Sequence, residues 1–196
     1  VDIAQDPLDF SGFDGVFHLA AQAGVVSWGP VFEHYARANV LGSQRVFEAC
    51  AKAKVPVVFA SSSSVYGRPK LVPTPEHAQL RPLSPYGITK LAGEQLAYAY
   101  ATEKGLKAVG LRYFTVYGPG QRSDMLFAKA IRAVKTGDPF SYRGLNCSRG
   151  FTYIDDVVGA PIRAMDGSDE AREGTFNVFN IGGGEEVDVI DALVII

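Results

Sequence analysis

Short apolar runs alternate along the chain with longer segments in which apolar residues return every three or four positions. The run Val16, Phe17, His18, Leu19, Ala20 predicts a buried strand that enters a turn of small residues at 21–24. From 31 to 54, Phe32, Tyr35, Ala36, Val40, Val46, Phe47 and Cys50 fit one face of a long amphipathic helix. A second strand is expected at 55–60, with Pro56 at its start, where a missing N–H is tolerated. A serine run and a Pro-rich loop occupy 61–85. A second long helix is expected over 86–103, with Gly105 placed to end it in left-handed backbone. A third strand follows at 107–113, then a loop containing Gly118, Pro119 and Gly120, and a helix at 124–135. The remainder reads as a short strand near Phe140, a Gly-Arg-rich loop, a helix from Asp155, a strand at 176–181, and the triplet Gly182, Gly183, Gly184.

Strand–helix alternation of this kind predicts an α/β fold: right-handed crossovers building a doubly wound, mainly parallel sheet covered by helices. Ligands in such sheets bind beyond the C-terminal strand ends. Three post-strand loops, at Ala20-Ala21, at 61–64 and at 114–119, are therefore expected to line one crevice. The charge-rich stretch 166–173 reads as a solvated loop, and no internal repeat is visible. Both ends read as cut. The chain opens on Val1 with no basic leader, and its last residues form an apolar element stopped partway. The expectation is the middle of a longer polypeptide.

Composition narrows the classes. Of 196 residues 47% are apolar and 20% charged, ordinary for a globular chain and against disorder. The net charge of −2, with both signs mixed throughout, leaves no nucleic-acid footprint. The longest uninterrupted apolar stretch, 55–60, is too short to cross a bilayer. Cys50 and Cys147 lie far apart without metal-ligand spacing, so neither a disulfide framework nor a metal site is expected, and a reducing cytoplasm is the expected compartment.

The sharpest candidate chemistry is Tyr86-Gly87-Ile88-Thr89-Lys90, preceded by Ser62. Residues four apart on a helix share a face. A free tyrosine titrates near 10 and is a poor base at neutral pH, but a neighbouring ammonium favours its phenolate. A phenol tuned in this way can accept and return a hydroxyl proton, and a serine at a strand end can hydrogen-bond the same substrate oxygen. The competing reading is a surface Tyr and Lys at helical spacing. Placement after a serine-rich strand end favours the catalytic one.

Five stretches carry a family resemblance in the right order: VFHLAAQAG at 16–24, ASSSSVYG at 60–67, SPYGITK at 84–90, LRYFTVYGP at 111–119 and FTYIDDV at 151–157. Together they resemble the extended short-chain dehydrogenase/reductases, in the NAD-dependent nucleotide-sugar epimerase/dehydratase branch. The resemblance implies a Rossmann-like sheet with bound NAD. It divides the chain into an NAD-binding domain at 1–118 and a nucleotide-sugar-binding region at 119–196, part of a small C-terminal substrate domain with some segments returning to the sheet. By the same resemblance Ser62, Tyr86 and Lys90 are the catalytic set, and Lys90 also bonds the nicotinamide ribose. Asp2 and Ile3 match the adenine-holding pair, Ala20 and Ala21 the turn under the cofactor, and Asn39 the helix asparagine beside the lysine. Tyr113 and Phe114 match the nicotinamide end. Thr115, Arg122 and Arg149 match positions that face the nucleotide sugar. On the residues alone, Asn39 also reads as a buried polar group bonded to backbone, Arg122 and Arg149 as surface charges, and His18 as a packed strand residue.

Two departures stand out. The family's glycine-rich βα unit, which sets backbone N–H groups against the pyrophosphate, is not in this sequence. Gly150 stands where the family usually has an acidic residue. Within the branch, dehydratases and decarboxylases carry an acid shortly after the catalytic serine, whereas this chain has Ser63 and Ser64. A 4-epimerase needs no such acid and is the expected activity. Ser62, Ser63, Ser64 and Thr115 offer hydroxyl donors suited to a sugar carboxylate, and the tetraserine run resembles UDP-glucuronate 4-epimerases. UDP-glucose/UDP-galactose interconversion, a related dehydratase or reductase, and an inactive nucleotide-sugar-binding fragment are the alternatives. The resemblance also implies a homodimer through the helices at 31–54 and 85–104, whose exposed faces should carry small residues such as Ala92, Ala97, Ala99 and Ala101.

Overall fold

A computed structural model describes residues 1–24, 28–141, 147–167, 174–183 and 185–196. Gly184, the 142–146 part of the expected Gly-Arg-rich loop and the 168–173 part of the charge-rich loop lie outside the described residues.

The chain forms two compact units, one from 1–113 with 160–180, the other from 114–159 with 181–196. In the first, β1 (Val16–His18), β2 (Val57–Ser62), β3 (Ala108–Tyr113) and β6 (Phe176–Ile181) form a sheet in the order β1-β2-β3-β6. β1, β2 and β3 are mutually parallel, with Val16 beside Val57 and Ser62 beside Tyr113. The expected strand at 55–60 begins later and runs on into the serine run. Its burial explains the continuous apolar sequence, because every residue from Val57 to Phe59 is covered.

Helical structure between β1 and β2 is a composite: a 3₁₀ turn (Gly29–Val31), α1 (Phe32–Tyr35), a π-helical segment (Ala36–Leu41) and α2 (Gly42–Ala53). A 3₁₀ turn (Ser63–Val65) follows β2, and α3 spans Pro85–Lys104. Local chemistry sets the bounds of α3. The Ser84 side chain accepts from the Gly87 N–H at 3.0 Å, Pro85 occupies the first turn, and Gly105 ends the helix at φ 70°. Between helices and sheet lies a core of Val46, Phe47, Cys50, Val55, Val57, Phe59, Ala97, Leu106 and Ala108. Phe47 meets Phe59 edge-on at 5.2 Å and is fully buried, a contact whose truncation to alanine costs about 3–5 kcal/mol. Ala97 and Ala101 are fully buried in this unit rather than on an exposed face. Their side of α3 packs inward, whereas Ala99 is exposed.

The second unit holds β4 (Thr115–Tyr117), α4 (Leu126–Thr136), β5 (Ser148–Tyr153), β7 (Glu186–Asp188) and α6 (Val189–Val194), while α5 (Ile154–Asp166) runs from this unit into the first. β4 pairs parallel with β5, and β5 antiparallel with β7. Phe140 lies in no strand, contrary to expectation. β4 and β5 are half-exposed along their length and lack the clean alternation that marks a strand in sequence, and β7, at three residues, is too short to show a period. Tyr117, Phe127, Phe151 and Tyr153 form an aromatic cluster, with the Phe127 and Phe151 rings 4.8 Å apart.

Candidate active site

In the first unit, the C-terminal end of β2 and the N-terminal half of α3 bring Ser62, Ser63, Ser64, Tyr86 and Lys90 into one neighbourhood. Gly87 makes this approach possible, because a Cβ there would lie 2.7 Å from the Ser64 carbonyl oxygen and 3.1 Å from Pro82. Lys90 is buried, donates to the Ala60 carbonyl oxygen at 2.7 Å, and sets its ammonium 5.7 Å from the centre of the Tyr86 ring. Burial pulls its pKa from 10.5 down to about 8. Tyr35 meets the Tyr86 ring edge-on. The Ser62 hydroxyl donates to Ser64 Oγ at 3.1 Å and accepts from the Ser64 N–H, which shapes the serine turn. Tyr113 stands beside Ser62 in the sheet register, its phenol pushed upward in pKa by burial.

The π-helical segment carries Asn39 inward. Its Oδ1 accepts from the Gln22 N–H at 2.8 Å, and its Nδ2 donates to the Gln22 carbonyl and to Thr89 Oγ1, both at 3.0 Å. Thr89 in turn donates to the Tyr86 carbonyl at 2.9 Å. Asn39 thus pins the segment that follows Ala20 and Ala21 to the helix bearing Tyr86 and Lys90. It is bonded to backbone and to the helix bearing Tyr86 and Lys90 at once.

His18 is a packed strand residue. It is buried, shares a 2.9 Å hydrogen bond with Ser43 Oγ, and is held neutral by burial and by the Lys90 charge, which bring its pKa to about 4. Asp2 caps its own turn, accepting from the Ala4 N–H and Gln5 Nε2, and pairs with Arg37 at 3.0 Å. These bonds bring its carboxyl to about 2. Ile3 packs where a Gly42 side chain would stand.

Phe114, Thr115, Arg122 and Arg149 belong to the second unit. Phe114 N–H donates to the Ile181 carbonyl at 3.0 Å, and its side chain fills the space a Cβ on Gly182 would need. Thr115 opens β4 opposite Phe151. Arg122 forks onto Asp124 through two 2.9 Å bonds, and Arg149 donates to the Ser148 carbonyl beside the Gly150 position. Both arginines are exposed, so these contacts hold them weakly.

Sequence reading passed over Thr89, Ser61, Glu94 and Arg112. Thr89 lies inside the quoted motif, but its bond to Asn39 links residues fifty apart. Glu94 and Arg112 form a buried ion pair at 2.7 Å.

The donor set suits a nicotinamide dinucleotide. An ammonium carries three N–H groups. Lys90 spends one on Ala60, which leaves donors for vicinal ribose hydroxyls.

Residues 2–182 match the NAD dependent epimerase/dehydratase family. An uncharacterized UDP-glucose epimerase, YtcB, of Bacillus subtilis is 44% identical over 94% of this chain and 58% of its own length. A UDP-glucuronic acid 4-epimerase from Bacillus cereus, solved with UDP-glucuronic acid and NAD, superposes with TM-score 0.82 at 41% identity, covering 92% of this chain and 58% of that one. A UDP-N-acetylglucosamine 4-epimerase from Methanobrevibacter ruminantium gives TM-score 0.91 at 30% identity over 100% of this chain and 64% of that one. The chain spans about three fifths of the length of these relatives. With the sheet order, the Tyr86–Lys90 pairing and the match from Asp2 to Gly182 agreeing, the fold is Rossmann-like, and the chain belongs to the NAD dependent epimerase/dehydratase family.

Proposed function

We propose that this protein is an NAD-dependent UDP-sugar 4-epimerase whose substrate is UDP-glucuronate. The observation that carries the reading is the buried Lys90 ammonium beside the Tyr86 ring, next to a hydroxyl-lined turn at Ser62–Ser64. When bound, NAD supplies a reversible hydride acceptor for C4 of the sugar. Tyr86, favoured as phenolate by the Lys90 charge, takes the C4 hydroxyl proton and returns it after the sugar ring has turned over. Ser62 hydrogen-bonds the same oxygen, and Lys90 holds ribose hydroxyls with its remaining donors. Ser63 and Ser64 lack the acidity to expel water, which favours inversion over dehydration.

Substrate choice rests on the hydroxyls of Ser62, Ser63 and Ser64 as donors to a C6 carboxylate. The Bacillus cereus relative, solved with UDP-glucuronic acid, supports it. UDP-glucose/UDP-galactose interconversion is the second reading, favoured by the name of the Bacillus subtilis relative. The test is incubation with NAD and a panel of UDP-sugars, reading C4 inversion by NMR. Conversion of UDP-glucuronate to UDP-galacturonate in preference to the neutral sugars is expected. Preference for UDP-glucose would overturn the uronate assignment.

The partner is a second copy of the chain. An open apolar groove of about 470 Å³ runs along the helices and is lined by Phe32, Val40, Leu41, Ile88, Ala92 and Leu96. Phe32, Leu41 and Ile88 each leave over two fifths of their surface in solvent, more apolar exposure than one helix pair needs. The reading extends to a cytoplasmic location, in keeping with two cysteines that stand far apart in the sequence.

A further inference from the structure

Glu94 follows Lys90 by one helical turn and faces the same sheet. The two side chains grip consecutive residues of β2: Lys90 donates to the Ala60 carbonyl, and Glu94 Oε1 accepts from Ser61 Oγ at 2.5 Å. The next residue is Ser62. Glu94 also receives a two-pronged contact from Arg112, Nε to Oε1 at 2.9 Å and an Nη to Oε2 at 2.7 Å. Arg112 is the sheet neighbour of Ser61, so the carboxylate clamps a registered pair across β2 and β3. The other end of the guanidinium donates to Tyr66 Oη at 2.7 Å and to the Glu76 carbonyl at 2.8 Å, and lies over the Tyr66 ring. Tyr66 closes the serine turn, and its hydroxyl donates to Asn180 Oδ1 on β6 at 2.7 Å.

Both charges are almost fully buried, with Glu94 1% and Arg112 3% exposed. A packed apolar pair would hold such a position at least as stably, so a buried ion pair is weak evidence of a stability role. Its directional bonds fix what apolar contacts leave loose: the height of α3 along β2 and the placement of the turn after Ser62. We propose that Glu94 and Arg112 are positioning residues whose ion pair sets α3 against β2 and the 62–67 turn, and so holds Ser62 in line with Tyr86 and Lys90. The inference rests on the proposed epimerase chemistry for its kinetic consequence, but not for its structural one.

Glu94→Gln alone would strand the Arg112 charge in the core, so the test replaces both groups, Glu94→Met with Arg112→Leu, beside Ser61→Ala, which removes only the link to β2. The double variant is expected to unfold no earlier than wild type. Its amides at 64–67 should exchange at least about tenfold faster in native conditions, since the turn loses its tether. Its kcat on UDP-glucuronate should fall roughly ten- to a hundredfold with KM unchanged, because a displaced reacting group costs rate and not binding. Ser61→Ala should show the same split at about three- to tenfold, the worth of one hydrogen bond, and Ser61→Thr, which restores the hydroxyl, should recover it. A folded double variant with wild-type exchange at 64–67 overturns the proposal, as does Ser61→Ala with wild-type kcat should the double variant not fold. So does a rise in KM with kcat intact. If wild type inverts no UDP-sugar, the epimerase reading fails separately, and the exchange measurement still decides whether the ion pair positions the turn.

Discussion

Replacing Lys90 with methionine isolates the cost of burying an ammonium at the site. The pKa of Lys90 falls from 10.5 to about 8 in the folded chain, and burial is the cause. At roughly 1.36 kcal/mol per pH unit, the folded state disfavours the charge by about 3 kcal/mol. Methionine has a similar unbranched length and removes that penalty, but leaves the Ala60 carbonyl without its donor, at about 1–3 kcal/mol. At pH 7 the two effects largely offset, and the variant should lie within about 2 kcal/mol of wild type. The pH dependence separates them. Between pH 8 and 10.5 the unfolded lysine still holds its proton while the folded one has lost it. The unfolded state then binds more protons, and wild-type stability rises with pH through that window. The variant lacks this term, so wild type should gain about 3 kcal/mol on it from pH 7 to 10.5. Urea unfolding of nucleotide-free protein at steps across this range measures the difference, in which titrating groups not coupled to Lys90 cancel. A difference between the two proteins that does not change with pH would refute the reasoning. On the proposed chemistry, in which one ammonium serves both the ribose and the phenol, the same variant should bind NAD more weakly and lose turnover.

Three further outcomes are expected. Tyr86→Phe should lower epimerisation by roughly 10²–10⁴ while NAD affinity by calorimetry stays near wild type, and near-normal turnover would remove Tyr86 from the proton path. His18 is held at about 4 against 6.5 unfolded, so the unfolded chain takes up a proton first as pH falls. Stability should therefore drop by about 3 kcal/mol more in wild type than in His18→Asn between pH 6.5 and 4, read by chemical denaturation at each pH. Ile88→Glu, which charges the apolar groove, should convert a dimer to monomer in sedimentation velocity while the circular dichroism stays unchanged.

The parallel sheet and its two covering helical stretches were legible because they are buried on repeating positions. The Ser84 cap, Pro85 and the Gly105 terminator bound α3 within a residue or two of the expected range. β5 hid because Ser148–Tyr153 is half-exposed on both faces, which leaves no period to read. The tyrosine–lysine pair was legible because its spacing is local. Glu94 was not: its partner lies eighteen residues away on β3, and only the fold turns a helix-surface pattern into a buried charge. Ala97 and Ala101 were misplaced for a related reason, since alanines mark neither face of a helix and only packing decides which side is covered.

The π-helical segment Ala36–Leu41 has a bearing on which changes in length this chain tolerates. A widened turn holds one more residue than an α-helical one, and each α-helical residue turns the helix by about 100°. Deleting any one residue there would let the segment relax to ordinary α-helix. The stretch from Phe32 to Tyr35 would keep its phase with the stretch from Gly42 to Ala53, because the widened turn alone holds the extra residue, so Tyr35 would stay against Tyr86 and Phe47 in the core. The cost would fall on Asn39, which the widened turn carries and whose bonds to Gln22 and Thr89 would be lost with that local geometry. Substitutions at the solvent side of this helix are cheap by comparison. A one-residue deletion within Gly42–Ala53, where no widened turn absorbs it, would turn the helix on its two sides about 100° out of phase.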